Sequence, residues 1–315
     1  NFMNIHDLVD ERYVIYSEHT TGQEGTGHSG KKEERFKLKL YCVDPSFNLQ
    51  ERLNKGNATI FFSATLLPIQ YYKNLLSTKK DNYAVYAETA FSEEQRLLLF
   101  GNDVSSKYTR RDATEFARIA DYVKRIADGK KGNYMVFFPS YKMMQQVYEV
   151  FFDRYGDDFT CAMQQSGMKE EEREAFLELF SEEASGEREQ SLVAFCVLGG
   201  IFGEGIDLKN EQLIGAIVVG TGLPQISNER EILQRYYDER MGAGFDYAYR
   251  YPGMNKVLQA AGRVIRTTED VGVIALLDER FLKSDYSGLF PREWDQKTVC
   301  NVQTVGRYVE KFWKR

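Results

Sequence analysis

The segment Gln259-Ala-Ala-Gly262-Arg263-Val-Ile-Arg266 sets two guanidiniums and an amide in the order Q-x-x-G-R-x-x-R. At about 100° per residue, Gln259, Gly262, Arg263 and Arg266 project to one side of a helix. Val257, Leu258, Ala261, Val264 and Ile265 project to the other side, so the pattern predicts a helix over Asn255–Arg266 with one packed face and one cationic face. Two planar guanidinium forks suit a triphosphate, where they neutralise charge that develops during γ-phosphoryl transfer. An exposed arginine pair is also what any solvated helix face presents. Gly262 favours the first reading, because glycine costs a helix about 1 kcal/mol and implies a close approach.

A second segment, Gly199-Gly200-Ile-Phe202-Gly203-Glu204-Gly205-Ile-Asp207-Leu, directly follows the apolar run Ser191–Val197. Glycines beyond the carboxyl end of a strand let backbone N–H groups reach phosphates, although the same residues also make an ordinary turn. Ile60-Phe-Phe-Ser63-Ala64-Thr65 and Phe137-Phe138-Pro139-Ser140-Tyr141-Lys142 place hydroxyls at the ends of two further apolar runs. Taken singly, each of these hydroxyls reads first as a helix cap.

Such residues must be held by strands and helices, and from Ala58 the chain alternates short apolar runs with amphipathic stretches, the pattern of βαβ units around a parallel sheet. Strands are predicted at Ala58–Phe62, Tyr134–Phe138, Ser191–Val197, Leu213–Val219 and Val271–Leu277. Helices are predicted at Tyr141–Arg154, Lys169–Phe180, Ser227–Arg240 and Asn255–Arg266, with Pro252 and Gly253 suited to the start of the last. Tyr13–Tyr16 and Phe36–Val43 read as a long hairpin around a Gly/Thr/Ser/Lys-rich connection. A polar stretch between Phe91 and Arg111 marks a second boundary.

The chain has 315 residues, is 43% hydrophobic and 28% charged, and holds only 6 prolines, which is a globular rather than a disordered composition. No apolar run approaches the roughly 20 residues needed to span a bilayer, and Asn1–Arg12 is too polar for a secretion signal, so a cytoplasmic protein is expected. The four cysteines stand singly and the three histidines all precede Ser29, which offers no spacing for a zinc site, an iron–sulfur cluster or a catalytic triad. The formal charge of -6 leaves either a small, local nucleic-acid surface or none.

In order and spacing, Ser63-Ala64-Thr65, the region of Ser140, Gly200 to Asp207 and Gln259 to Arg266 resemble motifs III, IV, V and VI of superfamily 2 helicases. The wording, with Leu277-Asp278-Glu279-Arg280-Phe281, Asp44-Pro-Ser-Phe-Asn-Leu49 and Tyr249-Arg-Tyr-Pro252-Gly253-Met254, resembles the DinG/XPD branch over nearly the whole chain. The resemblance implies an α/β fold with a RecA-like parallel sheet flanked by helices. Residues 1–100 would be a remnant of a first motor domain, with the hairpin and the motif III strand, and 101–315 a second motor domain. It implies an ATP-dependent DNA helicase that translocates on single-stranded DNA, 5′ to 3′, with the first motor domain of the same polypeptide as partner and no membrane. Arg266 would be the arginine finger, with Arg263 and Gln259 beside it as catalytic residues. Gly205, Asp207, Gln259, Arg263 and Arg266 would face ATP, and Ser63 and Thr65 would couple nucleotide state to strand grip. Ser140, Tyr141, Lys142, Gly200, Phe202 and Thr221 would contact the strand. A groove that tracks phosphates through hydroxyls and backbone amides does not demand a basic protein.

A helicase also needs a P-loop and carboxylates for Mg²⁺, which the family carries upstream of motif III. Gly25-Thr-Gly-His-Ser-Gly30-Lys31-Lys32 approaches the P-loop pattern, but Lys32 stands where a Mg²⁺-binding hydroxyl belongs. The chain is therefore expected to be a fragment that turns over no ATP alone, with the ligands of Mg²⁺ elsewhere and no iron–sulfur cluster of its own. Two rival readings are a non-catalytic nucleic-acid-binding module on a degenerate motor fold and a nucleotide enzyme that uses the near-P-loop around Lys31. A nuclease is disfavoured by the lack of clustered carboxylates.

Overall fold

The computed structural model describes residues 9–21, 34–203, 208 and 210–315. In chain order the elements are β1 (Tyr13–Thr21), β2 (Glu34–Cys42), α1 (Ser46–Leu53), α2 (Ile69–Leu76), β3 (Arg96–Gly101), α3 (Ala113–Ala127), β4 (Asn133–Phe138), α4 (Tyr141–Tyr155), β5 (Thr160–Met163), α5 (Glu170–Glu178), α6 (Glu182–Glu187), β6 (Leu192–Val197), β7 (Gly215–Val219), α7 (Asn228–Met241), α8 (Tyr251–Ala261), β8 (Gly272–Leu277), α9 (Ser284–Ser287), β9 (Thr298–Cys300) and α10 (Val305–Trp313). They fall into two compact units, Asn1–Ala84 with Gln225–Tyr249, and Val85–Pro224 with Arg250–Arg315.

The second unit is built on a seven-stranded sheet in the order β5-β6-β4-β7-β8-β3-β9, with every neighbouring pair parallel. This is the expected α/β arrangement of a parallel sheet flanked by helices. Strands β4, β6, β7 and β8 are buried along their whole length, which is why they read as continuous apolar runs. Helix α3 buries Phe116, Ile119, Ala120, Val123, Ile126 and Ala127, and Asp112 caps its start by accepting from the Glu115 amide at 2.8 Å. Each large apolar side chain so buried contributes about 1.5–3 kcal/mol. Because all the strands run the same way, their carboxyl ends share one edge of the sheet, and the loops on that edge carry the candidate chemistry.

The first unit pairs β1 with β2 antiparallel, in register from Tyr13 opposite Cys42 to Thr21 opposite Glu34. Helix α7, far along the chain, belongs to it. There Glu229 accepts from Tyr16 OH at 2.8 Å and from Lys39 Nζ at 3.0 Å, which holds its carboxyl below the ordinary range.

Several expectations need correction. Ala58–Phe62 forms no strand, and Ile60 and Phe62 are 83% and 89% exposed, since among the described residues no strand pairs with it. The polar boundary between Phe91 and Arg111 contains β3, which lies between β8 and β9 in the sheet. The second unit therefore begins at Val85, and a division at residue 100 would cut a strand. Its core, Leu98-Leu-Phe100, is buried on both faces, so it shows none of the alternation that marks a half-buried strand. The hairpin connection with Gly25–Lys32 lies outside the described residues.

Candidate functional site

The helix that carries the Q-x-x-G-R-x-x-R segment is shorter than its periodicity suggests. Helix α8 ends at Ala261 with Gly262 as its cap, so Gln259 lies on the helix while Arg263 and Arg266 leave from the turn beyond it. Two features stop the helix. The buried Asp270 carboxylate accepts from the Arg266 amide at 2.7 Å and the Thr267 amide at 2.6 Å, which draws the chain into a side-chain-stabilised turn. Gly272, with no side chain, leaves room for Val264 against the start of β8, where a Cβ would collide with the Val264 methyl. Val264 and Ile265 therefore turn inward. Gly262 is exposed with an ordinary helical φ of -68°, and a Cβ there would meet only carbonyls of its own helix, the nearer being Leu258 O at 3.1 Å, so among the described residues no close approach by another element accounts for the glycine.

The glycine loop after β6 meets this turn directly. Arg263 Nη2 donates to the Gly203 carbonyl at 2.7 Å. The loop is tight, with Gly200 N donating to Val197 O at 3.1 Å and Gly203 N to Gly200 O at 2.8 Å. Gly199 takes φ +67°, which a residue with a side chain rarely adopts. A Cβ on Gly199 would meet the stem of Lys256 at 2.8 Å, so α8 lies close over the loop. Gly205 and Asp207 lie outside the described residues.

The Phe202 side chain is not placed to contact a strand. It is 1% exposed and lies on the ring of Phe176 in α5, centroids 4.3 Å apart, where it anchors the loop. Thr221 is likewise 1% exposed, with its hydroxyl buried and unpartnered among the described residues. It sits where the chain after β7 crosses the start of α8, and a Cβ on Gly222 would be 2.6 Å from the Gly253 carbonyl. Neither side chain is presented to solvent.

Ser140 caps α4, accepting from the Met143 amide at 3.3 Å. Tyr141 and Lys142 follow on the exposed first turn of that helix, and Tyr141 OH accepts from Gln164 Nε2 at 3.0 Å. In the first unit, Ser63 Oγ accepts from the Thr65 amide at 3.2 Å and lies 3.3 Å from Thr65 Oγ1, so the two hydroxyls form one exposed turn.

Three positions to which the sequence assigned no role also shape this edge. Gln164 is buried and accepts from the Val197 amide at 2.9 Å while it donates to Tyr141, which ties the end of β6 to the start of α4. Lys256 lies one turn before Gln259, a spacing that could have flagged it. Asp278 is fully buried and accepts from Ser106 N and Oγ, both at 2.8 Å, and from Arg280 N at 3.0 Å and Nε and Nη2, both at 2.8 Å. Burial pushes its carboxyl up, but Arg280 and the surrounding amides outweigh that and hold it below the ordinary aspartate value. Among the described residues no group of three His, Cys, Asp or Glu side chains is placed to hold a metal, and no helix is long and apolar enough to cross a membrane.

Residues 123–297 match the family described as the helicase C-terminal domain. The regulator of telomere elongation helicase 1 homolog of Caenorhabditis elegans is 24% identical over 306 residues, covering 88% of this chain and 30% of that protein. The ATP-dependent DNA helicase XPD of Sulfolobus acidocaldarius is 26% identical over 258 residues, covering 78% of this chain and 44% of that protein. The chain thus spans less than half the length of these relatives. A solved structure named XPD_APO shares the fold, with a TM-score of 0.64 at 22% identity over 84% of this chain and 52% of that one, and another named XPD_Helicase gives 0.62 at 23% over 84% and 46%. With the glycine loop, the Arg263 turn and the strands next to them inside the matched span, the chain belongs to the helicase C-terminal domain family.

Proposed function

We propose that the second unit is the second motor domain of an ATP-dependent DNA helicase, which couples ATP hydrolysis to 5′-to-3′ movement along single-stranded DNA and to unwinding. The segment before it, with the hairpin and Ser63-Ala64-Thr65, is then the end of the first motor domain. The observation that carries this reading is the bond from Arg263 to the Gly203 carbonyl, which joins the arginine turn to the glycine loop on the carboxyl edge of a parallel sheet. On that edge Arg263, Arg266 and Gln259 face a triphosphate held by the first motor domain, and the motif V residues Gly205 and Asp207 are assigned to the same ligand by the sequence resemblance alone. Arg266 stabilises charge on the transferring phosphoryl group. Ser63 and Thr65 relay nucleotide state, and Tyr141, Lys142 and the backbone near Gly200 grip the strand. The carboxylates that hold Mg²⁺ belong to the first motor domain, so the present chain alone turns over no ATP. The reading is strengthened against a scaffold-only module by the ordered contact between the arginine turn and the loop, which a scaffold does not require.

The test is Arg266→Ala in the full-length protein. DNA-stimulated ATPase should fall by about 10³-fold or more, as for removal of an arginine finger, while the dissociation constant for single-stranded DNA stays within about 3-fold. Retained ATPase would refute the assignment, and loss of binding together with ATPase would point to misfolding rather than to catalysis. Displacement of a strand from DNA with a 5′ but not a 3′ overhang checks the polarity.

A further inference from the structure

The loop Ser105-Ser-Lys-Tyr108-Thr-Arg-Arg111 follows β3 on the same edge of the sheet and was not among the motifs read from sequence. A lone exposed tyrosine needs no explanation on most surfaces. Tyr108, however, is 84% exposed at the tip of a loop pinned from several sides. Ser105 N donates to Glu115 Oε1 at 2.5 Å, and Ser106 N and Oγ both donate to Asp278 at 2.8 Å. Arg280 Nη2 donates to Ser106 Oγ at 2.8 Å, and Arg111 Nε to the Ser106 carbonyl at 3.0 Å. The loop also abuts the ends of two other strands, since a Cβ on Gly220, just after β7, would run into Ser106 Oγ and lie 3.7 Å from Pro139, just after β4.

The cations of the loop are not equivalent. Lys107 pairs with Glu279 at 2.6 Å, and Arg110 with Glu115 at 2.8 Å. The described residues set no carboxylate against Arg111, whose guanidinium lies 5.9 Å from the Tyr108 ring centre. Burial and the nearby Arg280 both disfavour its charged form, so a site beside it favours an anion.

We infer that this loop is a platform for single-stranded DNA, on which the Tyr108 ring stacks a base and Arg111 takes an adjoining phosphate. An exposed ring on a pinned loop loses little backbone freedom on binding, and a guanidinium with no carboxylate against it supplies the contact to the phosphate. The inference rests on the helicase reading, and its test separates the two.

The test titrates this chain into fluorescein-labelled oligothymidylate by anisotropy. Tyr108→Ala should weaken binding between about 5-fold and about 100-fold, the range for loss of one base–aromatic stack, whereas Tyr108→Phe should stay within about 2-fold of wild type. Arg111→Gln should lower the slope of log affinity against log salt by about one. Thermal melting of Tyr108→Ala should match wild type, because its ring lies outside the core. Wild-type binding with Tyr108→Ala unchanged overturns the platform alone, and equal loss in Tyr108→Ala and Tyr108→Phe overturns stacking in favour of the hydroxyl. No binding by the wild-type chain removes the helicase reading of this edge, and the platform with it.

Discussion

Removal of the Asp278 carboxylate should cost more than any other single polar change in the second unit. Asp278 is 0% exposed and faces Arg280, whose side chain is 16% exposed, so Asp278→Ala leaves a largely desolvated guanidinium without its counter-ion and strands the Ser106 amide and hydroxyl. Breaking a buried pair by removal of one partner costs about 3–5 kcal/mol. In a unit of this size each kcal/mol shifts the melting temperature by about 2–4 °C, so a fall of about 6–20 °C is expected in a differential scanning experiment. Arg280→Met in the Asp278→Ala background should recover part of the loss, since both charges are then gone and the methionine fills the space. The pH dependence has a definite sign. The Asp278 carboxyl lies below the ordinary value of 3.8 in the folded state, so its contribution is complete above about that value and is lost as pH falls through the lower folded one. The same change frees the Ser106 end of the Tyr108 loop, and affinity for oligothymidylate should fall in parallel. A melting shift under about 2 °C for Asp278→Ala would refute the reasoning, because it would mean that the pair is solvated or dispensable.

Phe202→Ala should cost about 3–5 kcal/mol in chemical denaturation, as for other buried rings, and a loss below about 1 kcal/mol would show that the ring does not anchor the glycine loop. Gln164→Ala should cost about 1–3 kcal/mol and speed exchange of the Val197 amide, which loses its acceptor; unchanged exchange at Val197 would remove the proposed tie between β6 and α4.

Much of the fold was legible because buried parallel strands announce themselves. Runs such as Tyr134-Met-Val-Phe-Phe138 and Val273-Ile-Ala-Leu-Leu277 have no polar face to hide, and the predicted strands agree with β4, β6, β7 and β8 to within a residue or two. The omissions have physical causes. Strand β9 is only Thr298–Cys300 and exists through its pairing with β3, so nothing local marks it. Ala58–Phe62 shows the converse, a strand-like composition that makes no strand without a partner. At the site, residue types were legible and their placement was not. The heptad-like spacing of Gln259 to Arg266 hides the competing claim of Asp270, whose carboxylate captures two amides that a longer helix would have used differently. The phenylalanine in the glycine loop is expected to contact the strand, and the facing Phe176 instead makes it an anchor of the loop.

Net charge misleads for a related reason. The formal value of -6 averages over the whole surface, but recognition of a strand depends on the charge near one edge. Glu170, Glu171, Glu172, Glu174 and Glu178 on α5, with Glu182, Glu183 and Glu187 on α6, are all exposed and outnumber the entire formal excess of negative charge. These helices lie between β5 and β6 in the chain, toward one end of the strand order, while the loop with Tyr108 and Arg111 follows β3 near the other end. At about 8 Å of screening length in physiological salt, carboxylates several strands away are largely invisible to a phosphate beside Arg111. An acidic chain and a local anion site are therefore compatible, provided the cation at the site is the one with no carboxylate against it among the described residues. Arg111 meets that condition, whereas Lys107 and Arg110 are held by Glu279 and Glu115.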